Sequence, residues 1–343
     1  MRFIRLLTLA CCCVVLLPAA ADADEVEDFY RGKQVSLYIG YSAGGGYDTY
    51  ARMLARHIGK HIPGNPTVVP QNMPGAGSLT LANYIYNIAP KDGTVFGTIG
   101  RGLAMEPLLG GTGTRFDATR YAWIGSMNNE VSVCASWHTS PVKSVEDMRA
   151  HELIVGGTGS GSDTDTFPVV LRNLLGLKIR LISGYPGGND VLLAMERGEV
   201  DGRCGWSWGS VVAVRSDWLA ENKINVLLQM ALDKHPDLPD VPLVMDLARS
   251  DDERMAMELI FARQVMGRPY MAPPDVPAAR RDALRRAFDA TLEDPEFLAD
   301  ASRIDLELNP VTGEEIDRLL ARIYGASAAA VSLASDAIRK SGE

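Results

Sequence analysis

Two glycine-rich loops are the parts of this sequence whose residue types and spacing best fit a chemical task, the binding of a small anion. The first loop, residues 40–48, follows an apolar segment and precedes an amphipathic segment at 51–58. The second loop, residues 156–163, also follows an apolar segment and precedes an amphipathic segment at 168–175. Glycines let several backbone N–H groups converge on a ligand, and the N-terminus of the following helix adds positive potential. Two such loops in one chain predict two lobes that bind one small anion between them.

A third glycine loop, one arginine and two tryptophans add to this prediction. Residues 74–78, Pro-Gly-Ala-Gly-Ser, either add N–H donors or make an ordinary turn. Arg101 follows a predicted strand, at the end of the strand where ligands lie in α/β sheets. A guanidinium there can bind a carboxylate through two hydrogen bonds, and the alternative is a solvated loop arginine. Trp206 and Trp208 fit either stacking on a ligand or packing in the core.

One segment fits a catalytic nucleophile. Gly-Trp-Ser-Trp-Gly at 205–209 matches the G-x-S-x-G pattern of α/β-hydrolases. Such an enzyme needs an acid and then a histidine well downstream, but His235 is the only histidine after Ser207 and follows it too closely. His57 and His61 have i, i+4 spacing without an H-E-x-x-H sequence, and neither glycine loop has a nucleotide fingerprint. The sequence therefore predicts no catalytic residues, no metal site and no cofactor.

Strand-like and helix-like segments alternate along most of the chain, which predicts α/β lobes with largely parallel sheets. Besides those beside the loops, extended segments are predicted at 67–69, 94–99, 123–125, 131–134, 179–183, 200–204 and 224–228, and helices at 79–88 and 211–219. Proline-rich segments at 235–242 and 272–277 interrupt the alternation. Two helices are expected to close the chain, the last beginning at a capping box of Thr312 and Glu315.

The N-terminus has the three parts of a secretory signal peptide. Arg2 and Arg5 are basic, residues 6–17 are apolar, and Ala-Asp-Ala at 21–23 is a small-x-small cleavage site. The apolar run has about a dozen residues, whereas a transmembrane helix needs about twenty. We therefore expect residues 1–23 to be removed and the mature protein to be soluble after export.

Length and charge limit the partners. The chain beyond the signal peptide is long enough for two domains of ordinary size. The formal net charge of the whole sequence, −9, argues against nucleic acid or an anionic membrane surface as a partner. A small carboxylate is not excluded, because backbone amides supply a local field. The mature chain keeps Cys134 and Cys204, which either pair or remain small buried residues.

Seven short motifs stand in a distinctive order and spacing. They are Gly-Gly-Gly-Tyr-Asp at 44–48, Pro-Gly-Ala-Gly at 74–77, Ala-Pro-Lys-Asp-Gly at 89–93, Gly-Ser-Gly-Ser at 159–162, Gly-Glu-Val-Asp at 198–201, Leu-Pro-Asp-Val-Pro at 238–242 and Ala-Pro-Pro-Asp-Val-Pro at 272–277. With these motifs the chain, from about Gln34 to Ile316, resembles the periplasmic solute receptors of tripartite tricarboxylate transporters, the Bug receptors.

The resemblance implies a two-lobe periplasmic binding protein of type II-like architecture. Each lobe would be a mostly parallel sheet flanked by helices, and two crossover strands would form the hinge. Such a receptor closes on a small organic acid and delivers it to the permease subunits of a tripartite tricarboxylate-type transporter. We expect lobe 1 to comprise residues 24–136 and 262–343, and lobe 2 residues 137–261. Two alternatives stay open: a signalling co-receptor read by a sensor kinase, and a periplasmic serine hydrolase that uses Ser207.

The resemblance also implies a binding site, because family members hold a carboxylate with the amides of two opposed glycine loops. Carried over by position, the substrate-binding set is Tyr41, Ser42, Ala43, Gly45, Gly46, Asp48, Gly77, Ser78, Gly159, Ser160, Ser162, Asp163 and Tyr185. Arg101 and Trp206 complete the predicted site by residue type.

The chain departs from the family pattern near the site, at Ser42-Ala43, Met73, Asp163 and Gly205-Trp206. The acidic pair Asp163 and Asp165 would favour a ligand that carries an amine or hydroxyl. Arg101 or Arg268 would favour a second carboxylate. The sequence does not decide between these ligands.

Overall fold

The computed structural model describes residues 19–339 of the chain. Within that range the strands are β1 Gln34–Ile39, β2 Thr67–Asn72, β3 Val95–Thr98, β4 Ala122–Ser126, β5 Ser132–Trp137, β6 Leu153–Gly156, β7 Ile179–Ile182, β8 Gly202–Ser207, β9 Ile224–Met230, β10 Pro269–Ala272 and β11 Val311–Thr312. The α-helices are α1 Ala19–Tyr30, α2 Gly46–Ile58, α3 Leu79–Asn87, α4 Glu106–Leu109, α5 Val145–Ala150, α6 Asp163–Leu175, α7 Gly188–Glu196, α8 Trp208–Ala220, α9 Asp251–Phe261, α10 Ala278–Glu293, α11 Pro295–Ser302, α12 Gly313–Tyr324 and α13 Ala328–Ile338.

The strands form two sheets, one in each lobe. The lobe 1 sheet has six strands in the order β11-β4-β10-β3-β1-β2, and the lobe 2 sheet has five in the order β7-β6-β8-β5-β9. Strand β1 pairs in parallel with β2 and β3, and β6 pairs in parallel with β7 and β8. The predicted two-lobe α/β fold is confirmed, but the sheets are mixed. Antiparallel pairing enters where the chain crosses between lobes, because β10 runs against β3 and β4 and β5 runs against β8 and β9.

Each glycine loop leaves the carboxyl end of a parallel strand. Alternate residues of β1, Val35, Leu37 and Ile39, are buried, which seats the strand on the core and fixes where the first loop emerges. Strand β6 does the same for the second loop, with Leu153 and Val155 fully buried. The sequence thus places both loops at the sheet edge where α/β folds bind ligands.

The chain crosses between the sheets twice, after β4 and after β9. Residues Ser132–Trp137 lie in the lobe 2 sheet, whereas the sequence prediction assigns residues up to Ser136 to lobe 1. The C-terminal helix α13 packs against α6 and α9 of lobe 2 as well as α4. The strand pairings place the first crossing between residues 126 and 132. The exact limits of the two lobes stay a prediction.

The helices differ from the prediction at two places. Helix α6 begins at Asp163 rather than near Pro168, so the proline lies inside the helix. The chain closes with four helices after residue 277, not two, because Asp294 accepts a hydrogen bond from the Glu296 N–H and starts a new helix at Pro295. The capping box of Thr312 and Glu315 is confirmed at the start of α12.

Cys134 on β5 and Cys204 on β8 form a disulfide across adjacent strands, which answers the question that the sequence left open. The predicted signal peptide lies largely outside the described residues. None of the helices between residues 19 and 339 combines the length and apolar character that a membrane crossing needs.

Candidate functional site

A small cavity of about 40 Å³ lies between the two lobes, at the sheet edges where the glycine loops emerge. A site for one water molecule takes about 10–15 Å³ on the same measure, so the closed cavity has room for more than one water-sized group. Both lobes line it, and its walls are rich in guanidinium, hydroxyl and backbone amide groups. The lining residues are Tyr41, Gly45, Gly46, Tyr47, Gly100, Arg101, Thr158, Ser162, Asp163, Thr164, Gly188, Arg203, Gly205, Ser207, Ser210 and Arg268.

The first glycine loop is held from behind by Asp48. Its buried carboxylate accepts hydrogen bonds from the Gly44 N–H at 3.0 Å and from the Arg52 Nε at 2.9 Å. Burial alone would raise the pKa of Asp48, but the bonds from Arg52, Asn72 and Gly44 outweigh burial and lower it. Asp48 therefore shapes the loop and presents no free carboxylate to a ligand.

Tyr41 and Tyr47 form one wall of the cavity. Their rings stack with centroids 4.5 Å apart. Burial raises the pKa of both phenols, so they stay neutral and can act as hydrogen-bonding groups. The Tyr47 hydroxyl accepts a hydrogen bond from the Arg101 N–H at 3.2 Å, which ties this wall to the arginine that follows β3.

Arg101 crosses the gap between the lobes. Its Nε donates to the Asp163 carboxylate at the start of α6, and its second terminal nitrogen donates to Ser132 Oγ at 2.6 Å. Glu130 lies 3.4 Å from the Arg101 guanidinium. Burial opposes the charge of Arg101, but Asp163 and Glu130 outweigh that effect and raise its pKa.

Arg268 makes a similar crossing from the other side of the cavity. It pairs with Glu130 at 3.0 Å and donates to the hydroxyls of Ser207 at 2.7 Å and Ser210 at 2.5 Å. Burial again opposes the charge, and Glu130 is the main group that outweighs it and raises the pKa of Arg268. A third guanidinium, that of Arg203, lines the cavity from β8.

Direct hydrogen bonds between the loops show that the cleft is closed. The Gly77 N–H donates to the Thr158 carbonyl at 2.8 Å, and Ser42 Oγ donates to the Asp190 carboxylate at 2.5 Å. The second bond joins the first glycine loop to the N-terminal turn of α7. Both contacts connect lobe 1 to lobe 2 and form only when the lobes are together.

The structure divides the residues that the sequence predicts for the site into three groups. Those lining the cavity are Tyr41, Gly45, Gly46, Arg101, Ser162 and Asp163. Those that join the lobes or brace a loop are Ser42, Asp48, Gly77, Ser78 and Gly159. The Ser78 hydroxyl accepts a hydrogen bond from the Gly100 N–H, and the Gly159 N–H donates one to the Asp165 carboxylate. Those that lie away from the cavity are Ala43 and Ser160, which are exposed at the rim, Tyr185, which is half-buried, and Trp206, which is 1% exposed in the lobe 2 core.

Several cavity residues were not predicted for the site, among them Arg203 of β8, whereas Gly205 and Ser207 of the same strand were considered as part of a nucleophile motif. Arg203, Gly205 and Ser207 alternate along this strand and therefore point to the same face. That period of two was the available signal. This signal was missed because the prediction ended the strand at Cys204 and compared residues 205–209 with the G-x-S-x-G motif instead.

Ser207 is bound in a way that differs from a catalytic nucleophile. Its Oγ accepts hydrogen bonds from Arg268 and from the Ser210 N–H, where it caps α8. A catalytic serine needs a base within hydrogen-bonding reach. Within residues 19–339, no histidine forms a hydrogen bond with Ser207.

His57, near the end of α2, and His61, in the 3-10 turn that follows it, have acidic neighbours that the sequence did not reveal. His57 Nε2 lies 3.0 Å from Asp300 Oδ2, and His61 Nε2 lies 2.8 Å from Asp294 Oδ2. His57, Asp294 and Glu296 bring potential ligand atoms within 4.8 Å of one another. The Lys60 ammonium already pairs with Asp294 and Glu296, each at 2.5 Å, so a cation already occupies the space between these two carboxylates.

The fold and the cleft define a class: this is a two-lobed α/β binding fold of the kind found in periplasmic binding proteins. Its fold matches that of BugD, described as a periplasmic binding protein, with a TM-score of 0.68 and 19% identity, over 86% of this chain and 95% of that one. It matches MatC of Rhodopseudomonas palustris, solved with bound malate, with a TM-score of 0.68 and 17% identity, over 85% and 97% of the two chains. It also matches the R. palustris protein Rpa4515, solved with adipate, with a TM-score of 0.67 and 18% identity, over 85% of this chain and 94% of that one.

The sequence comparisons agree with the structural ones. The chain is 26% identical over 311 residues to a UPF0065 protein of Agrobacterium vitis from the TAR-I ttuE-ttuC' intergenic region, covering 86% of this chain and 79% of that protein. It is 23% identical over 308 residues to a UPF0065 protein of Cupriavidus necator from the gbd 5' region, covering 85% and 83%. No family model matches the chain. The resemblance to the Bug receptors that the sequence indicates is confirmed by these relatives.

Proposed function

We propose that this protein is a solute receptor that captures a small organic acid between its two lobes and delivers it to a membrane transporter of the tripartite tricarboxylate type. One observation carries the proposal. The interlobe cavity is lined by guanidinium groups from both lobes, with loop amides and hydroxyls between them. Guanidinium and amide donors in a partly desolvated cleft are the groups that recognise carboxylates.

The closed cleft supports a mechanism of ligand-driven closure. Arg101 and Arg268 reach from lobe 1 to groups of lobe 2, and the Gly77 and Ser42 hydrogen bonds join the loops. A ligand in the cavity contacts both walls only when the lobes meet. Its binding free energy therefore stabilises the closed state selectively, and a transporter can distinguish that state from the open one.

The proposed location and partners rest on the relatives and on the predicted signal peptide. BugD is described as a periplasmic binding protein, and the MatC and Rpa4515 structures hold malate and adipate. We assign the mature protein to the periplasm, with permease subunits as its membrane partners. BugD is described as a periplasmic binding protein and Ser207 is bound as a helix cap, so we assign no enzymatic role.

The test is a binding screen of the mature chain from Asp24 onward, stripped of ligand by unfolding and refolding. Mono-, di- and tricarboxylates, amino acids and neutral sugars as controls are compared by thermal shift, and hits are measured by calorimetry. A ligand at a hundred times its dissociation constant adds about 2.7 kcal/mol to the free energy of unfolding, which raises the Tm by several degrees. We expect one class of acid to bind at one site per chain, with a smaller radius of gyration in X-ray scattering. Folded protein that binds no acid would refute the receptor function.

A further inference from the structure

We propose that Glu130 is a positioning residue, which holds the guanidiniums of Arg101 and Arg268 in place for the ligand in both the open and the closed receptor. The inference rests on the proposed receptor function and assigns a role to a residue outside the wall of the interlobe cavity. The sequence analysis did not single out Glu130.

One buried carboxylate lies beside both arginines. The Glu130 oxygens lie 3.4 Å from a terminal nitrogen of Arg101 and 3.0 Å from a terminal nitrogen of Arg268. Asn128 Nδ2 donates a hydrogen bond to the same carboxylate at 3.2 Å. The Gly267 carbonyl accepts hydrogen bonds from both guanidiniums, at 3.3 Å from Arg101 and 3.1 Å from Arg268. Glu130 and the Gly267 carbonyl are therefore shared by the two arginines.

Glu130 belongs to the hinge. It lies on the first crossing segment, residues 127–131, which is joined by backbone hydrogen bonds to the second crossing segment, which ends at Arg268. The Glu130 N–H donates to the Gln264 carbonyl at 2.8 Å, and the Gly267 N–H donates to the Asn128 carbonyl at 2.8 Å. A Cβ at Gly267 would overlap the Glu130 Cγ and lie 2.6 Å from the Glu130 Cβ. The paired crossing segments therefore fix the position of the carboxylate.

The other side chains that bind these two arginines come from lobe 2. Arg101 donates to groups of α6 and β5, and Arg268 donates to hydroxyls at the end of β8 and the start of α8. These lobe 2 partners are Asp163, Ser132, Ser207 and Ser210. When the lobes separate these contacts break, whereas Glu130 stays beside both guanidiniums because the crossing segments connect the lobes in either state. Among the described residues, Glu130 is the only carboxylate of the hinge that pairs with them.

Ordering the arginines in advance should strengthen ligand binding. An arginine side chain has several rotatable bonds, and ordering one such chain during binding weakens the affinity roughly two- to thirteenfold. Glu130 orders two of them before the ligand arrives. Its charge by itself acts in the opposite direction, because a carboxylate near the site repels an anionic ligand. The sign of the change in affinity therefore separates the two effects.

The test compares Glu130→Gln, Glu130→Asp and a control, Arg285→Gln, in the mature protein stripped of ligand. Glutamine keeps the size of the side chain without its charge, and aspartate keeps the charge on a shorter side chain. Arg285 is a buried arginine of lobe 1 that pairs with Glu314 and Asp317 away from the cavity. Calorimetry measures the affinity for acetate, malate, adipate and citrate and for the tightest acid of the functional screen. The Tm of each ligand-free variant is measured in parallel.

For the acid that binds wild-type protein most tightly, Glu130→Gln should weaken the affinity at least threefold. Loss of the negative charge alone would tighten it, so a weaker affinity reports the lost orientation of the arginines. Glu130→Asp should bind the acid more tightly than Glu130→Gln does. A residue that only fills space would give the reverse order, because glutamine matches glutamate in size. Arg285→Gln should lower the Tm and bind the acid within twofold of wild type.

Asn128→Ala provides a second test that leaves every charge in place. It removes the hydrogen bond that orients the Glu130 carboxylate, so it should weaken the affinity at least twofold. This variant decides the question if Glu130→Gln protein does not fold.

Three results would overturn the inference and leave the receptor function standing. The first is folded Glu130→Gln protein that binds the acid less than threefold more weakly than wild type, or Asn128→Ala protein within twofold of it. The second is Glu130→Gln protein that binds at least as tightly as Glu130→Asp protein. The third is an equal loss of affinity in Arg285→Gln, which would assign the effect to general destabilisation. Wild-type protein that binds no acid in the functional screen would instead refute the receptor itself.

Discussion

Gly46, the first residue of α2, decides whether the two lobes can close completely. A Cβ atom at this position would lie 2.8 Å from Ser210 Cβ, closer still to Ser210 Oγ, and 3.3 Å from an Arg268 nitrogen. Ser210 belongs to α8 of lobe 2, so the collision is between lobes. A single methyl group in Gly46→Ala should therefore obstruct closure without disturbing lobe 1.

The cost follows from these distances. Carbon atoms pack best at about 3.5–4.0 Å, so either the lobes stay slightly apart or Ser210 moves and loses its bond from Arg268. Overpacking of this kind costs about 1–3 kcal/mol, which corresponds to roughly a fivefold to a hundredfold weaker affinity. The ligand-free protein should not lose stability, because Gly46 lies in a helix, where alanine is favoured over glycine by up to about 1 kcal/mol.

Gly45→Ala is the matched control. Its Cβ would lie 3.5 Å from the Asn189 N and 3.7 Å from the Gly188 N, which are ordinary contacts. Gly45 is the N-cap of α2, a position where alanine is less favourable than glycine, so this variant should melt slightly earlier. Gly45 also lines the cavity, but its Cβ does not obstruct closure, so this variant should lose less affinity than Gly46→Ala. Calorimetry with the acid that binds most tightly measures the affinity of each variant, and the Tm of the ligand-free protein measures its stability.

Gly46→Ala should thus mainly lose affinity for the acid, whereas Gly45→Ala should mainly lose stability. Gly46→Ala protein that binds within twofold of wild type would show that the closed arrangement described here is not the ligand-bound one. Equal losses of affinity in both variants would show that the loop itself, rather than the contact with Ser210, controls binding.

Three further outcomes follow from the structure. Replacing Cys134 and Cys204 by alanine should lower the free energy of unfolding by about 4 kcal/mol in urea titrations, because the disulfide closes a loop of 70 residues; an unchanged midpoint would contradict the pairing. Asp48→Asn should lower the Tm at pH 7. It should also flatten the loss of stability below about pH 4, since a carboxylate with a lowered native pKa stabilises the protein above its ordinary pKa and loses that effect as pH falls; parallel pH curves for the two proteins would count against it. Ser207→Ala should lower the free energy of unfolding by about 1 kcal/mol in urea titrations, because Ser207 caps α8. Its hydrolysis of p-nitrophenyl acetate should equal that of wild type; a large fall in hydrolysis would favour the serine hydrolase instead.

The sequence predicted the local architecture well because local patterns dictate it. The alternation in β1 and β6 and the glycines after them indicated two strand–loop–helix units, and the capping box of Thr312 placed α12. Segments whose form depends on distant contacts were predicted less well. Pro168 was taken as a helix start, for example, although tertiary packing holds it inside α6.

For the site, the sequence alone determined that two glycine loops and Arg101 lie at one edge of the sheets, because each follows the carboxyl end of a strand. It could not determine the charge of the cleft. That charge depends on which guanidinium meets which carboxylate when β3, β8, α6 and β10 come together from positions far apart in the chain. Only the tertiary structure joins Arg101 to Asp163 and Glu130 and joins Arg268 to Glu130, while Arg203 has no carboxylate within 4 Å in the described part of the chain. Ion pairing depends on distances in space and not on spacing along the sequence.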